Sequence, residues 1–498
     1  MTSLWLASRP HPHAAGPAEI PPGDHDVVVV GAGLTGLTTA LLLARAGREV
    51  LVLEDRGVGA VTTGNTTGKV SLLQGTTLSQ VRSYAGDEAL SAYVTANREG
   101  QRFWVDTIGE GPDLQRRDAY SYATSAQGEE KLAAELAACR AAGLAVEHVP
   151  ASDTELPPGI GASTALRLRD QYQMHPVGLL GRLVEELTAA GGVLIEGVRV
   201  TTLGAGDPCE LSTSAGPVRA RHVVLATGTP VLDRGLHFAR LEPQRSYAAS
   251  YRVPSPPLQG MYLSADSSTR SLRTVPLADG EQLVVGGNGH VVGRHRGPTS
   301  ELVADLDAWT ATHFPGAERV HAWSAQDYQS SDMLPIVGPV AGTDGRVLAA
   351  TGYQKWGLAM APAAAMALAG RLTGDLPKWA PALEGTRLGL RPAYKTGQLN
   401  LEVALHLLGG WGEVLVRAGS GDLPAEGEGR VLREGAAPVA VSRVDGRLHR
   451  VSAVCTHLGG RLRWNDAECS WDCPLHGSRF AADGTRLEGP ATRDLRRH

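Results

Sequence analysis

The chain has 498 residues, more than a single hydrophobic core normally organises, so at least two packed units are expected. Its formal net charge is only -5 and 20% of its residues are charged, which argues against a basic surface for nucleic acid or for an anionic membrane. The five cysteines are too few for a disulfide framework in a chain of this length.

Residues 1–25 are interpreted as a proline-rich N-terminal leader. Their apolar stretch is very short and no basic residues open the chain, so the pattern differs from that of a signal peptide. No window of the sequence reaches the roughly 18 unbroken apolar residues that a membrane-spanning helix needs. We therefore expect a cytoplasmic protein without an integral membrane segment.

Residues 26–54 have the pattern of a βαβ unit. The apolar run from Asp26 to Val30 predicts a buried parallel strand, and residues 49–53 (EVLVL) predict a second one. Between them, residues 37–46 (LTTALLLARA) are typical of a helix. Strand, helix and strand in this order form the unit from which dinucleotide-binding folds are built.

A glycine motif, GAGLTG, joins the first strand to the helix. Its first glycine allows a tight turn, its second admits a pyrophosphate, and its third lets helix and strand pack closely. Glu54 ends the second strand about 20 residues further on, where an acid accepts hydrogen bonds from ribose hydroxyls. These features predict a dinucleotide site but leave FAD and NAD open. The motif residues assigned to this site are Gly31, Gly33, Leu34, Thr35 and Gly36.

Later segments predict further helices and a second sheet. From about Tyr84 to Ala141 the pattern is helical. Residues 247–292 alternate apolar and polar side chains between turn signals, which is typical of an antiparallel meander. We expect this meander to cover one side of the cofactor. Residues 352–372 then form a glycine-led, alanine-rich helix.

Three segments resemble parts of the D-amino-acid oxidase and glycine oxidase superfamily. They are GNTTGKV at residues 64–70, VVLATG at 223–228 and ATGYQKWGLAM at 350–360. The resemblance implies an FAD-dependent oxidoreductase that holds FAD without a covalent bond and points the late glycine-led helix at the flavin. The resemblance also implies that further residues bind FAD, in addition to those of the glycine motif and Glu54. These residues are Thr67, Gly68, Val200, Ala226, Thr227, Gly228, Gly352, Trp356, Gly357 and Met360.

The catalytic residues are not identified by these motifs, and two candidates follow from position alone. Lys69 lies in a loop expected to approach the flavin ring, where its charge would stabilise reduced flavin or aid reaction with oxygen. The alternative for Lys69 is a phosphate or surface contact. His175, in DQYQMHP, would line the substrate pocket, and its alternative is structural packing.

Two short loops near the C-terminus each contain one cysteine and one histidine. Cys455 and His457 lie in CTHLGG, and Cys473 and His476 lie in CPLHGS. A Rieske cluster binds one iron through two cysteines and the other through two histidines, so two facing loops of this kind supply its ligands. The alternative is one tetrahedral zinc, which also accepts this set. The flanks resemble Rieske ferredoxin-like domains from about Leu423 onward, which implies a [2Fe-2S] cluster.

The fold class expected from these features is α/β: an FAD-binding Rossmann-like domain with an inserted antiparallel-sheet substrate domain, followed by a small all-β Rieske domain. The predicted divisions are the leader, an oxidoreductase domain at 26–380, a linker with a helix at 381–422 and the Rieske domain at 423–498. Within the oxidoreductase domain, FAD-binding parts are expected at about 26–83, 165–235 and 325–375, and substrate parts at about 84–164 and 236–324.

The function expected is oxidation of a C–N bond of a small amine or amino acid, with electrons passing from FAD to the cluster. The alternative is a flavin oxidase in which the Rieske domain is a redox-sensing or docking module. The expected partners are the amine or amino-acid substrate and a one-electron acceptor protein or oxygen, with no nucleic acid. The sequence does not predict the oligomeric state.

Overall fold

The computed structural model describes residues 1–10, 12–13, 19–232, 237–254, 258–267, 269–278, 280–385, 390–416, 423–434 and 437–498. Its helices are α1 (Leu4–Ser8), α2 (Leu34–Arg45), α3 (Thr77–Ile108), α4 (Ala126–Ala141), α5 (Pro176–Ala189), α6 (His237–Arg240), α7 (Ser300–His313), α8 (Gly357–Thr373) and α9 (Leu390–Val416). In the described parts of the chain, no helix combines the length and apolarity required to cross a membrane.

The strands fall into sheets that correspond to the predicted units. They are β1 (Asp24–Val30), β2 (Val50–Leu53), β3 (Lys69–Val70), β4 (Leu114–Ala123), β5 (Glu147–Pro150), β6 (Thr164–Met174), β7 (Val193–Ile195), β8 (Val200–Gly204), β9 (Cys209–Thr213), β10 (Gly216–Leu225), β11 (Leu241–Arg252), β12 (Met261–Ser264), β13 (Arg270–Leu277), β14 (Gly280–Val291), β15 (Glu318–Ser330), β16 (Ile336–Pro339), β17 (Val347–Thr351), β18 (Gly429–Glu434), β19 (Ala437–Val444), β20 (Arg447–Ser452), β21 (Arg463–Asn465), β22 (Ser470–Asp472), β23 (Arg479–Ala481) and β24 (Arg486–Glu488).

The first sheet carries the predicted dinucleotide-binding fold. Its strand order is β16-β17-β10-β1-β2-β7, with β9 and β8 attached beyond this path. The central strands pair in parallel, as the unbroken apolar runs predict, because such strands are buried on both faces. The helices α2 and α8 pack against each other and α5 packs against α2. The βαβ unit predicted for residues 26–54 is confirmed.

The second sheet contains the predicted antiparallel meander and more. Its order is β15-β11-β14-β13-β12-β4-β6-β3, with β5 beside β6. Strands β11 to β14 account for the meander, although β12 also pairs in parallel with β4. One expectation needs correction, because the region predicted to be helical contains β4. Strand β6 also belongs to this sheet.

The start of the predicted leader is a packed part of the oxidoreductase domain. Trp5 of α1 is 0% exposed, and its indole N–H donates to the carbonyl oxygen of Thr66 at 2.6 Å. The guanidinium of Arg273 lies 5.1 Å from the centre of the same ring. Residue 11 and residues 14–18 of the leader lie outside the described residues. Leu4 and Trp5 therefore contribute to a core cluster with side chains of the second sheet.

The C-terminal unit is all β, as predicted. Strands β18 to β20 form one antiparallel sheet and β21 to β24 form another. Their shared core includes Val451, Leu462, Trp471 and Phe480, each fully or almost fully buried. The predicted linker contains α9, which contacts this core, while its residues 386–389 and 417–422 lie outside the described residues.

A buried arginine, Arg245, joins the second sheet to carboxylates of the C-terminal unit that it shares with Arg479. Arg245 of β11 donates to Glu468 at 2.6 and 2.5 Å and to Glu488 at 3.1 Å. Arg479 of β23 donates to the same two carboxylates and to Asp472, at 2.8 to 2.9 Å. Buried ions are tolerated when they are paired and hydrogen-bonded in this way. The contact between the units is therefore specific in charge as well as shape.

The packing of α1 yields a stability prediction. Trp5→Ala removes a fully buried indole and its hydrogen bond, which should cost about 3–5 kcal/mol of unfolding free energy. Ala7→Ser, on the exposed side of the same helix, should cost little. Denaturant unfolding followed by tryptophan fluorescence measures both. Equal midpoints for Trp5→Ala and Ala7→Ser would show that α1 does not contribute to the fold.

Candidate flavin and cluster sites

A large cavity opens at the carboxyl ends of the parallel strands, where ligands bind in open α/β sheets. The N-termini of α2 and α8 both meet it, so backbone N–H groups and the positive ends of two helices face the same space. Most residues predicted to bind FAD line this cavity: Gly31, Gly33, Leu34, Thr35, Glu54, Val200, Ala226, Thr227, Gly228, Gly352 and Gly357.

The glycine motif has the geometry that its sequence predicts. Gly31 has φ +105°, and a Cβ there would lie 2.7 Å from the carbonyl oxygen of Ala226. A Cβ at Gly36 would overlap the carbonyl oxygen of Gly31, so this glycine permits the close helix–strand packing. A Cβ at Gly33 would meet only the hydroxyl of Thr63 at 3.4 Å. The middle glycine therefore borders open space, as close approach of a diphosphate requires.

Glu54 lies at the edge of the cavity and is well ordered by backbone donors. The N–H of Ala32 donates to its carboxylate at 2.7 Å and the N–H of Arg56 donates at 3.0 Å. Burial raises the pKa of Glu54 above its ordinary value, and these two hydrogen bonds oppose that effect. A carboxylate has further acceptor sites beyond two hydrogen bonds. The observed geometry therefore fits a ribose-binding role.

The remaining residues assigned to FAD lie behind the cavity lining. Gly36, Thr67 and Gly68 are close to it in sequence but do not line it. The indole N–H of Trp356 donates to the hydroxyl of Thr77 at 3.2 Å. Met360 is 0% exposed in the main core of the domain. These residues hold the surrounding elements in place, and their direct contact with FAD stays a prediction.

Sequence reasoning missed two groups of cavity residues. Asp327 and Lys355 line the cavity near α8. Lys355 and its neighbour Gln354 have φ +72° and +50°, so this turn adopts a conformation that residues other than glycine rarely use. The second group is residues 486–492 of the Rieske domain. No local signal links that segment to the flavin motifs.

The two catalytic candidates occupy different environments. Lys69 is 8% exposed and donates to the hydroxyl of Ser271, so the surface contact considered for it is wrong. Burial, and then repulsion from Arg273, lower the pKa of Lys69 to about 7. His175 caps α5 by accepting from the N–H of Gly178 at 3.2 Å, and burial lowers its pKa to about 4. His175 does not line the cavity. Its position therefore fits the alternative interpretation, in which His175 has a structural packing role.

The two cysteine–histidine loops have matching backbone geometry. The N–H of Gly459 donates to the carbonyl oxygen of Cys455, and that of Gly477 donates to Cys473, both at 3.1 Å. Each glycine has a left-handed conformation, with φ +71° and +76°. Such turns aim the backbone N–H groups within the loop toward its cysteine sulfur. The loops therefore present their side chains to a common centre.

At that centre the side chains form a sulfur pair and a nitrogen pair. The thiols of Cys455 and Cys473 are hydrogen-bonded to each other, and the rings of His457 and His476 have centroids 5.2 Å apart. In the described part of the chain, no three His, Cys, Asp or Glu side chains surround one point. A tetrahedral zinc needs four donors around one ion, whereas in a Rieske cluster each iron takes two. The arrangement fits the cluster.

The local chemistry at the four side chains also fits two bound irons. Both ring nitrogens of His476 are buried and make no hydrogen bond within the described residues, which is costly unless something else binds them. The hydrogen bond between the two thiols lowers the pKa of Cys455, helped by backbone N–H groups and the hydroxyl of Ser478, and the same bond raises the pKa of Cys473. A thiol that ionises readily is suited to metal ligation.

Comparisons with known proteins identify both units. Residues 26–371 match the DAO family of FAD dependent oxidoreductases. Residues 413–498 match the Rieske [2Fe-2S] domain, and this match starts ten residues before the predicted domain boundary at 423. The chain is 30% identical over 481 residues to the Rieske 2Fe-2S iron-sulfur protein YhfW of Bacillus subtilis (strain 168), covering 95% of this chain and 92% of that protein.

Relatives of the flavin unit alone are also found. The chain is 26% identical over 386 residues to glycine oxidase of Pseudomonas aeruginosa, covering 72% of this chain and 97% of that protein. The fold resembles the crystal structure of glycine oxidase from Geobacillus kaustophilus with a TM-score of 0.61 and 20% identity, covering 74% of this chain and 100% of that one. L-proline dehydrogenase from P. horikoshii also has a TM-score of 0.61, with 18% identity and coverage of 72% and 96%.

The cluster ligands are tested by single substitutions. His457→Ala and His476→Ala each remove one ligand of the histidine-bound iron, so the reduced protein should lose the electron paramagnetic resonance signal of low average g. Cys469→Ala should keep that signal, since Cys469 lies between the loops and outside the pairs. Iron content measures the same loss independently. A retained signal in both histidine variants would refute the ligand assignment.

Proposed function

Because the chain belongs to the family of FAD dependent oxidoreductases and carries a C-terminal Rieske [2Fe-2S] domain, we propose that it oxidises a C–N bond of a small amine or amino acid and passes the electrons to its own cluster. Bound FAD takes up a hydride equivalent and releases single electrons, and the bound cluster accepts one electron at a time. The residues described below support this path.

The observation that carries the proposal is the contact of β15 with both sites. The hydroxyl of Tyr328 donates to the carbonyl oxygen of Gly489 at 3.3 Å, and Tyr328 also lines the flavin cavity. Beside it, the side-chain amide of Gln326 donates to the carbonyl oxygen of Gly477 at 3.0 Å. Gly477 directly follows the ligand His476. Two residues on the same face of one strand therefore connect the cavity wall to a ligand loop.

The ligand loop packs against the oxidoreductase domain with little free space. A Cβ at Gly477 would overlap Pro243 of β11, and a Cβ at Gly293 would lie 2.8 Å from the backbone nitrogen of Pro474. Arg294 donates to the carbonyl oxygen of Pro474 at 2.9 Å. Glycine at both positions lets the two backbones approach closely. This packing favours transfer within the molecule.

A phenylalanine of the oxidoreductase domain contacts both cluster histidines. The ring of Phe238 lies edge-on to His457 at 5.3 Å and to His476 at 4.9 Å between centroids. His476 is 4% exposed, while His457 is only partly buried. We infer that electrons leave past His457 to a one-electron acceptor protein or to oxygen. We also propose that the protein works in the cytoplasm.

The substrate class is inferred from polar groups on the second sheet and from the relatives. Lys355 and Asp327 line the cavity. Lys355 donates to the hydroxyl of Ser246 at 2.9 Å, and burial raises the pKa of Asp327 to about 6. Lys69 does not line the cavity and donates to the hydroxyl of Ser271. Groups of both charges suit a small molecule with an amine and a carboxylate. The names of the relatives, glycine oxidase and L-proline dehydrogenase, denote amino-acid substrates.

The electron path is tested by anaerobic stopped-flow mixing with an amine that bleaches the flavin. Flavin absorbance should fall first and cluster absorbance should follow. Tyr328→Phe removes the hydroxyl contact with Gly489, worth about 1 kcal/mol, so cluster reduction should slow several-fold while flavin reduction keeps its rate. Tyr394→Phe, at a 70% exposed position, should behave as the parent protein.

The opposite outcome would support the alternative function. If the cluster spectrum stays unchanged after the flavin is reduced, and admission of air gives rapid peroxide formation, the protein acts as an oxidase. The Rieske domain would then be a redox-sensing or docking module, and the proposed internal transfer would be wrong.

The role of Lys69 is tested through pH. With a pKa of about 7, Lys69 is protonated below that pH and neutral above it, so any step that uses its charge should slow as pH rises through 7. Lys69→Met should remove this transition from the rates of flavin reduction and reoxidation. Lys378→Met, at an exposed position, should keep it. A transition of unchanged midpoint in Lys69→Met would assign it to another group.

A further inference from the structure

One wall of the flavin cavity belongs to the Rieske domain. Residues 486–492, which form β24 and the loop after it, line the cavity together with the glycine motif and Glu54. This segment is far from the flavin motifs in sequence and is absent from the part of the chain that matches the oxidoreductase family, residues 26–371. The cavity is therefore completed by a second domain.

An ionic network fixes that wall beside the end of the cavity that contains Glu54. Arg486 forms a salt bridge with Asp55, the residue after Glu54. Arg199 donates to Asp55 at 2.8 Å and to Asp494 of the Rieske domain at 2.9 Å. The backbone N–H of Arg486 also donates to Asp494 at 2.9 Å. Two arginines and two aspartates from both domains thus alternate around this end of the cavity.

The Arg486 side chain has a buried donor that its protein contacts leave unused. Its side chain is 15% exposed, and its Nε is buried without a hydrogen-bond partner among the described residues. A buried donor of this kind is costly unless a ligand or water accepts from it. Arg486 lines the cavity on the side where Glu54 is expected to bind ribose. The acceptor that fits both the position and the charge is a ribose or phosphate oxygen of a dinucleotide.

The same segment also contacts the cluster site. The N–H of Ala491 donates to the hydroxyl of Ser478 at 2.9 Å, and that hydroxyl interacts with the ligand Cys455. Gly489, two residues earlier, accepts from Tyr328 of β15. One short segment is thus held by the cluster loop on one side and forms the flavin cavity on the other.

We propose that the Rieske domain forms part of the FAD site, with Arg486 binding the adenosine half of FAD, so that FAD retention and an intact, docked Rieske domain stabilise each other. Because linkage is reciprocal, whatever docking adds to FAD affinity, FAD adds to docking. This proposal depends on FAD binding, but it does not depend on the substrate or on electron transfer to the cluster.

The test measures FAD affinity without turnover. Protein with its cluster intact is deflavinated and titrated with FAD, and binding is followed by quenching of flavin fluorescence. Arg486→Gln should raise the dissociation constant about tenfold, the effect of losing one charge-assisted hydrogen bond. Arg497→Gln, an exposed arginine of the same domain that pairs with Asp483, should leave it unchanged. Equal dissociation constants for these two variants would overturn the proposal.

A second variant separates ligand binding from domain bridging. Asp55→Asn weakens the bridge but keeps the Arg486 side chain, so it should raise the dissociation constant less than Arg486→Gln does. An equal or larger effect of Asp55→Asn would show that Arg486 acts only through the bridge and would refute its role as a ligand.

A third measurement uses the unmodified chain, so it holds even if Arg486→Gln fails to fold. The urea midpoint for loss of the cluster's visible circular dichroism is compared in deflavinated and FAD-reconstituted protein. FAD should raise this midpoint. If the midpoint is the same with and without FAD, the two sites are independent and the linkage is refuted.

Discussion

The position of the Rieske domain depends on the buried charge of Arg245. Its guanidinium is 3% exposed, and both of its carboxylate partners, Glu468 and Glu488, come from the Rieske domain. If the domains stay docked, loss of a carboxylate partner would leave a buried charge without its pair, which costs about 3–5 kcal/mol. Any shifted docking that kept Arg245 buried but away from Glu468 and Glu488 would carry the same cost. The charge of Arg245 therefore selects the observed docked arrangement.

The same network is stable over a wide pH range. Burial alone raises the pKa of Glu468, but the charges of Arg245 and Arg479 outweigh burial and hold it below the ordinary value of 4.5. A carboxylate whose pKa is lowered by folding contributes its stability above the unfolded value and loses it as pH falls through the folded one. Docking should thus be insensitive to pH near neutrality. A change in rate near pH 7 must come from another group, of which Lys69 is the clearest case.

The sequence predicts the structural features that are determined within short segments of the chain. The glycine motif and the two ligand loops are set by turns of a few residues, so spacing alone identifies Gly31, Gly36, Cys455 and His476 with their neighbours. Distant contacts carry no such signal: Arg486 and Asp55 are 431 residues apart, and Trp5 is buried by elements that follow it in the chain. Strand β6 lies in the second sheet, and its local apolar pattern alone does not indicate which sheet it joins. Packing between segments, and not local pattern, decides these features.

The alternating side chains of β15 link the docked Rieske domain to the flavin cavity. Gln326, Asp327 and Tyr328 all line the flavin cavity. Successive side chains of a strand point to opposite faces, so Gln326 and Tyr328 share a face, and both bond to the Rieske loops. Three consecutive residues thus serve both sites, and a one-residue shift would exchange their faces. On the proposed electron path, the side of the cluster that faces β15 is committed to the flavin. Exchange with an external acceptor is then confined to the more exposed edge at His457.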